Sequence, residues 1–355
     1  MGKPLVEQVR LSRRRIIQGL LAGTAMVAMA PGRGSAAGGQ VVVSNWGGDW
    51  NDRTVRFVEK PLLEDKGFGV VRDLGMEPER KAKLLAEKRI RRSSADVIHV
   101  NSSDAYELRQ HEVVSDLDIS KIPNYADVVP ELRNDYFVPW LYSGVVIIYN
   151  KDKVPKPPKS YAELWDPKWT GRIGLTNQLY FNYMMMAGLV KNGDLTSVEE
   201  GKEHLAAFAE QSKPKLYAAH QQLQAGLANG EVDIAVNYKA RGLQWAKDGM
   251  PLAIQYPEEG AIAVTFGACL TEYAANAETA YVYLDAMLDP TAMAGLAEAS
   301  FYAPANSKAA LSDALRAQID FADDEKAKLK FLDFAYVAEN TASWLDWWNK
   351  SFAQT

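Results

Sequence analysis

Seven short apolar runs constrain how this chain can fold. They lie at residues 41–44, 97–100, 145–149, 172–176, 232–236, 252–256 and 262–266. Most are continuous rather than alternating, the pattern of strands covered on both faces. Helical patterns separate them, so the chain reads as βα units around mainly parallel sheets. With 355 residues, 47% of them hydrophobic, there is enough apolar material for two lobes with separate cores.

Helix signals fit this frame. Ser160, Tyr161, Ala162 and Glu163 spell a capping box, and Asp49 to Asp52 a weaker one. Three prolines within residues 154–158 demand a loop. Trp344, Trp347 and Trp348 stand at i, i+3, i+4 spacing, which predicts a buried helix face rather than a ligand box. The basic stretch from Arg80 to Arg92 reads as a solvated helix face.

The first 37 residues differ from the rest. Ser12, Arg13, Arg14, Arg15, Ile16, Ile17 and Gln18 match a twin-arginine export signal. A short apolar stretch of residues 19–29 follows, too brief for ~30 Å of hydrocarbon. Ser35, Ala36 and Ala37 then supply small residues for cleavage near Ala37. Removing this segment leaves 34 basic against 44 acidic residues, about −10, which argues against nucleic acid as a partner. Cys269 is the only cysteine, so neither a disulfide framework nor a lipid anchor at the cleavage site is expected. The expectation is a soluble periplasmic monomer.

Catalytic chemistry leaves no mark. His99, His111, His204 and His220 are scattered, with no pair at metal-ligand spacing. There is no G-x-S-x-G elbow or phosphate loop, and Gly67-Phe68-Gly69 is an incomplete dinucleotide fingerprint. We therefore expect no enzyme, no cofactor and no metal.

Several segments carry a resemblance. They are Val138-Pro139-Trp140-Leu141-Tyr142-Ser143-Gly144-Val145, Ser160 to Asp166 with Gly171-Arg172-Ile173, and Gly230 to Val236. Tyr256-Pro257-Glu258-Glu259-Gly260 and Phe301-Tyr302-Ala303-Pro304-Ala305-Asn306 complete the set. In order and spacing they resemble the periplasmic solute-binding proteins of the spermidine/putrescine ABC importer family. That resemblance implies an α/β clamshell of the type II periplasmic binding fold, hinged on two crossover strands. It implies lobe 1 at 40–144 plus 267–306, lobe 2 at 145–266, and C-terminal helices at 307–355 packing on the lobes. Its partners would be a small-molecule ligand and an inner-membrane ABC permease, with hinge closure on the ligand.

Ligands of open α/β sheets sit beyond the carboxyl ends of strands. Trp46 and Gly47 follow the first run and offer a flat ring and a flexible turn. Asn101 and Ser102 follow the second, as ligand contacts, as a helix cap, or as both. Thr176 and Asn177 end the fourth run, and Tyr238 and Arg241 follow the fifth. The resemblance adds Tyr302 and, beside the first hinge strand, Tyr142. It also implies three carboxylates that this chain lacks: Asn177, Gln178 and Phe181 occupy the region of two, and Phe266 stands near the third. A buried cation without counter-charge is costly, so the ligand is left open among an amine, an amino acid-like zwitterion and an organic acid. One of Lys239 and Arg241, with Arg241 favoured because it suits bidentate capture of an acid, is the candidate anion partner, and solvated helix positions for both are the alternative. A ferric-ion binder and an exported enzyme with an unrecognised site are the competing classes.

Overall fold

The structure is a computed structural model that describes residues 38–354. The export segment and its cleavage site, residues 1–37, lie outside the described residues.

Ten strands form one curled mixed sheet. They are β1 (Gln40–Asn45), β2 (Gly69–Leu74), β3 (Val97–Asn101), β4 (Val138–Asn150), β5 (Ile173–Thr176), β6 (Lys215–Tyr217), β7 (Ile234–Tyr238), β8 (Leu252–Gln255), β9 (Ile262–Leu270) and β10 (Ala303–Pro304). The main path runs β2-β1-β3-β9-β4-β7-β5-β6, with β8 and β10 also paired to β4. Pairing is parallel within β2-β1-β3 and within β7-β5-β6. It is antiparallel wherever β4 or β9 takes part. Each end of the sheet is thus a small parallel βα half, as the apolar runs predict. The two long strands belong to both halves. β9 pairs with β3 through Phe266–Leu270 and with β4 nearer its start, while β4 pairs with β7 from Val145 onward.

All seven apolar runs become strands. Three strands escaped the pattern, among them the two-residue β10. β2 is only half-buried along most of its length, and β6 has three residues, so neither builds a continuous apolar run. The expected helix at Ser160 is a single 3₁₀ turn, Ala162–Trp165, although Glu163 does take the Ser160 hydroxyl at its backbone N–H (3.2 Å).

A bulge at Trp140 re-aims the crossover. Pro139 faces Gly267 and Leu141 faces Phe266, leaving Trp140 as the extra residue. A β-carbon on Gly267 would stand 2.1 Å from the Val138 carbonyl, so the close approach needs glycine there. Along the shared strands side chains alternate. Leu141 and Val145 join cores on one face, while Tyr142 and Val146 join a different core on the other.

The C-terminal helix Phe334–Trp347 shows the expected buried stripe, with Trp344 and Trp348 both buried in the second half's core. It also reaches the first half, where the Phe334 ring lies 6.2 Å from that of Tyr106.

Candidate functional site

Four strand ends carry residues singled out in the sequence. β1 delivers Trp46, β3 delivers Asn101 and Ser102, β5 delivers Thr176 and Asn177, and β7 delivers Tyr238. The shared strand β9 sends Phe266 into the middle. Four rings surround it at centroid distances of 5.4 Å for Trp50, 5.5 Å for Tyr302, 5.9 Å for Trp46 and 5.9 Å for Tyr238. Three of these contacts are edge-on, the arrangement ring quadrupoles prefer. An aromatic box with rings from both halves is thus built around a residue of the hinge strand. Phe266, near the position of the third carboxylate that the resemblance implies, thus packs against rings instead.

The first wall is held rigidly. Arg80 is buried and donates to the carbonyls of Gly75 (3.0 Å), Ser44 (3.2 Å) and His99 (2.8 Å). Its guanidinium lies 4.9 Å from the Trp46 ring centroid, so it fixes the ring that β1 presents. This corrects the expectation of a solvated basic face at Arg80, while Lys83, Arg89, Arg91 and Arg92 are exposed as expected. The helix buries Arg80 and Leu84, and Arg80 is where it meets the strand ends. Glu77, in the same helix (Glu77–Glu87), accepts from the Asn101 backbone and side-chain amides, both at 3.1 Å. Asn101 also caps the helix Ser102–Gln110, accepting from the Asp104 N–H at 3.0 Å. Lys81 closes the network on Asp104 and, at 2.6 Å, on Glu107. Burial first, and the Asp104 carboxylate next, push Glu77 well above the ordinary carboxylate range. His99 is fully buried against this wall, its Nε2 2.8 Å from the Tyr283 hydroxyl. Burial and the Arg80 charge lower its pKa to about 3.

The second wall is looser. Tyr238 caps the helix Lys239–Lys247, in which Lys239 and Arg241 part company. Lys239 donates to the Asp320 carbonyl and lies 4.6 Å from the Phe321 ring centroid. Arg241 bonds the Tyr302 side chain and, at 3.5 Å, Gln244, while its buried Nε finds no hydrogen-bond partner among the described residues. Burial pushes the Tyr302 hydroxyl up, and the Arg241 charge beside it acts in the opposite sense. His220 shares a 3.0 Å bond with Asn237, and burial followed by the Arg241 charge lowers its pKa to about 3.

The other sequence-derived candidates fall unequally. Gly47 and Gly48 are exposed at the first strand end, and Gly48 adopts φ 62°. Ser102 is half-buried at the start of its helix. Thr176 is fully buried and caps the turn Asn177–Leu179 through a 3.3 Å bond from the Gln178 N–H. Asn177 accepts from the Trp348 indole at 2.9 Å, which gives its side chain a structural partner. Tyr142 requires a correction. Pleating turns it to the other side of the hinge, where its hydroxyl donates to Asp320 at 2.6 Å. It lines a separate cavity of about 460 Å³ there, with Thr265, Pro304, Leu311 and Arg316. Glu77, Trp50 and His220 join the cleft without having been singled out in the sequence. Glu77 and His220 sit in ordinary helical patterns, and only the fold sets them beside strand ends.

Comparison with known proteins follows this geometry. The chain is 27% identical over 210 residues to the spermidine/putrescine-binding periplasmic protein of Escherichia coli (strain K12), covering 56% of this chain and 60% of that protein. It therefore spans 60% of the length of the spermidine/putrescine-binding relatives it matches. A GABA receptor structure superposes with a TM-score of 0.79 at 20% identity, over 89% of this chain and 98% of that one. An ABC transporter substrate-binding protein from Bradyrhizobium japonicum USDA 110 superposes at 0.76 with 22% identity, over 87% and 98%. The fold is accordingly the two-lobed type II periplasmic binding fold. The model of the bacterial extracellular solute-binding proteins matches residues 60–327, and the chain belongs to that family.

Proposed function

We propose that this protein is the periplasmic substrate-binding component of an ABC importer for a small polar organic solute. The observation that carries this is the aromatic box. Its rings come from both halves and meet on a shared hinge strand, so a ligand seated there favours the closed form over the open one. Solute capture by closure, with recognition by a permease, follows from that arrangement and from family membership. The names of the polyamine-binding relatives support an organic solute, as does the superposition on a GABA receptor. We assign 40–144 with 267–306 to lobe 1, 145–266 to lobe 2, and residues 307–355 to a segment lying on both. The protein acts in the periplasm as a monomer without cofactor, after cleavage near Ala37. Among the described residues no group of three or more His, Cys, Asp or Glu side chains is placed to hold a metal ion, and an organic ligand fits the aromatic lining better than a ferric ion does.

A thermal-shift screen of the purified protein across polyamines, amino acids, organic acids and phosphonates tests the reading. A true ligand at 100 times its Kd adds about 2.7 kcal/mol of stability. A flat response across the whole panel overturns the receptor assignment.

A further inference from the structure

The first wall of the cleft sets three carboxylates against two cations, and the second presents an incompletely paired guanidinium. On the first, Glu77 stands with its Oε1 taken by Asn101, beside Asp104. Lys81 answers Asp104 and Glu107, and Arg80 is committed to three backbone carbonyls. On the second, Arg241 lies against Tyr302 with its buried Nε unbonded. Between them come the rings of Trp46, Tyr238, Phe266 and Tyr302. Tyr238 registers both charges. Glu77 helps raise its hydroxyl and Arg241 lowers it, although burial is the larger cause of its upward shift.

We infer that the cleft selects a zwitterion with an apolar spacer, its ammonium held at Glu77 and its carboxylate at Arg241. The inference rests on the receptor reading and narrows it to one charge class. A diamine would set one ammonium against the Arg241 guanidinium, and a buried like-charge contact is costly. A dicarboxylate would set one acid against Glu77 and Asp104. A zwitterion answers both ends. Its ammonium relieves the repulsion between Glu77 and Asp104, and its carboxylate gives the unpaired Nε of Arg241 a charge-assisted partner. The methylenes between lie on the ring faces and edges, where no polar group is needed. Glu77 is thereby assigned as a specificity-determining residue opposite Arg241.

The test is calorimetric titration of the purified protein with three compounds of matched length: 4-aminobutanoate, 1,4-diaminobutane and succinate. Shorter and longer ω-amino acids and a set of α-amino acids extend the panel. At least one amino acid should bind 100-fold more tightly than the diamine and the dicarboxylate of its own length. Arg241→Gln should weaken that amino acid 100-fold or more, and Glu77→Gln tenfold or more. Melting temperatures of the unliganded variants show that each one is folded. Tighter binding of 1,4-diaminobutane or succinate overturns the zwitterion assignment and leaves the receptor reading intact. Amino acid affinity within twofold of the parent in both variants overturns it as well. Failure of every compound in this panel and in the wider screen removes the receptor reading itself.

Discussion

The two walls of the cleft are made from the same kinds of residue but are held differently. On the first, every charged side chain near the strand ends is engaged: Arg80 on three carbonyls, Glu77 on Asn101, Lys81 on two acids. On the second, Arg241 bonds side chains, Tyr302 and, at 3.5 Å, Gln244, and each of the two arginines keeps one buried nitrogen without a partner among the described residues. A wall whose groups are already bonded is pre-organised and loses little freedom when ligand arrives. A wall held by fewer and longer bonds has more to gain from the ligand. This division suits a closing receptor. Ligand docks on the finished wall, and the closed state gains most from contacts to the unfinished one, which are the contacts that shift a two-state balance.

The largest expected effect separates the walls by stability alone. Arg80→Ala strands three backbone carbonyls and releases Trp46, and should cost about 3 kcal/mol in denaturant unfolding of the unliganded protein. Arg241→Ala removes side-chain bonds to Tyr302 and Gln244 and should cost about 1 kcal/mol. Equal losses would erase the distinction between the walls.

The next test asks where the walls agree. Each holds a buried histidine with a pKa near 3, against 6.5 for an ordinary imidazole. Such a group contributes stability that is present above pH 6.5 and is lost as pH falls toward 3, because the unfolded chain takes up the proton first. Glu77, raised instead of lowered, acts in the opposite sense: its contribution is present below 4.5 and is lost as pH rises. The histidine part is isolated by difference. Relative to the parent protein, His99→Gln and His220→Gln should each gain about 2 kcal/mol on going from pH 8 to pH 5, at about 1.4 kcal/mol per pH unit below 6.5. A difference that stays constant with pH would show that these rings are not held neutral.

The smallest effect lies outside both walls. Tyr142→Phe removes the hydroxyl bond to Asp320 and should cost about 1 kcal/mol, read by thermal denaturation. Ligand affinity should stay within twofold of the parent. A larger affinity loss would return Tyr142 to the cleft.

Much of this was legible in the residues. Continuous apolar runs mark strands covered on both faces because a helix buries each side, and all seven runs are strands. Trp46, Asn101, Tyr238 and Arg241 could be found because they follow such runs directly, where a parallel sheet must open its loops. Trp344 and Trp348 announced a buried helix face through their spacing. Less legible were β2 and β6, which are too exposed or too short to leave a pattern. Tyr142 misled because hinge-strand residues alternate in direction, and the bulge at Trp140 disturbs the register from which that direction could be counted.

The sequence by itself determined the order of strands and helices and which strand ends would carry polar and aromatic residues, because those depend on local periodicity. Only the tertiary structure decided that Glu77 bonds Asn101 at a strand end, that Arg80 is buried, and that Phe266 stands at the centre of rings from both halves. Those relations join residues from Trp46 to Tyr302, and their geometry is set by how β4 and β9 cross between the halves, a long-range packing outcome that no local pattern encodes.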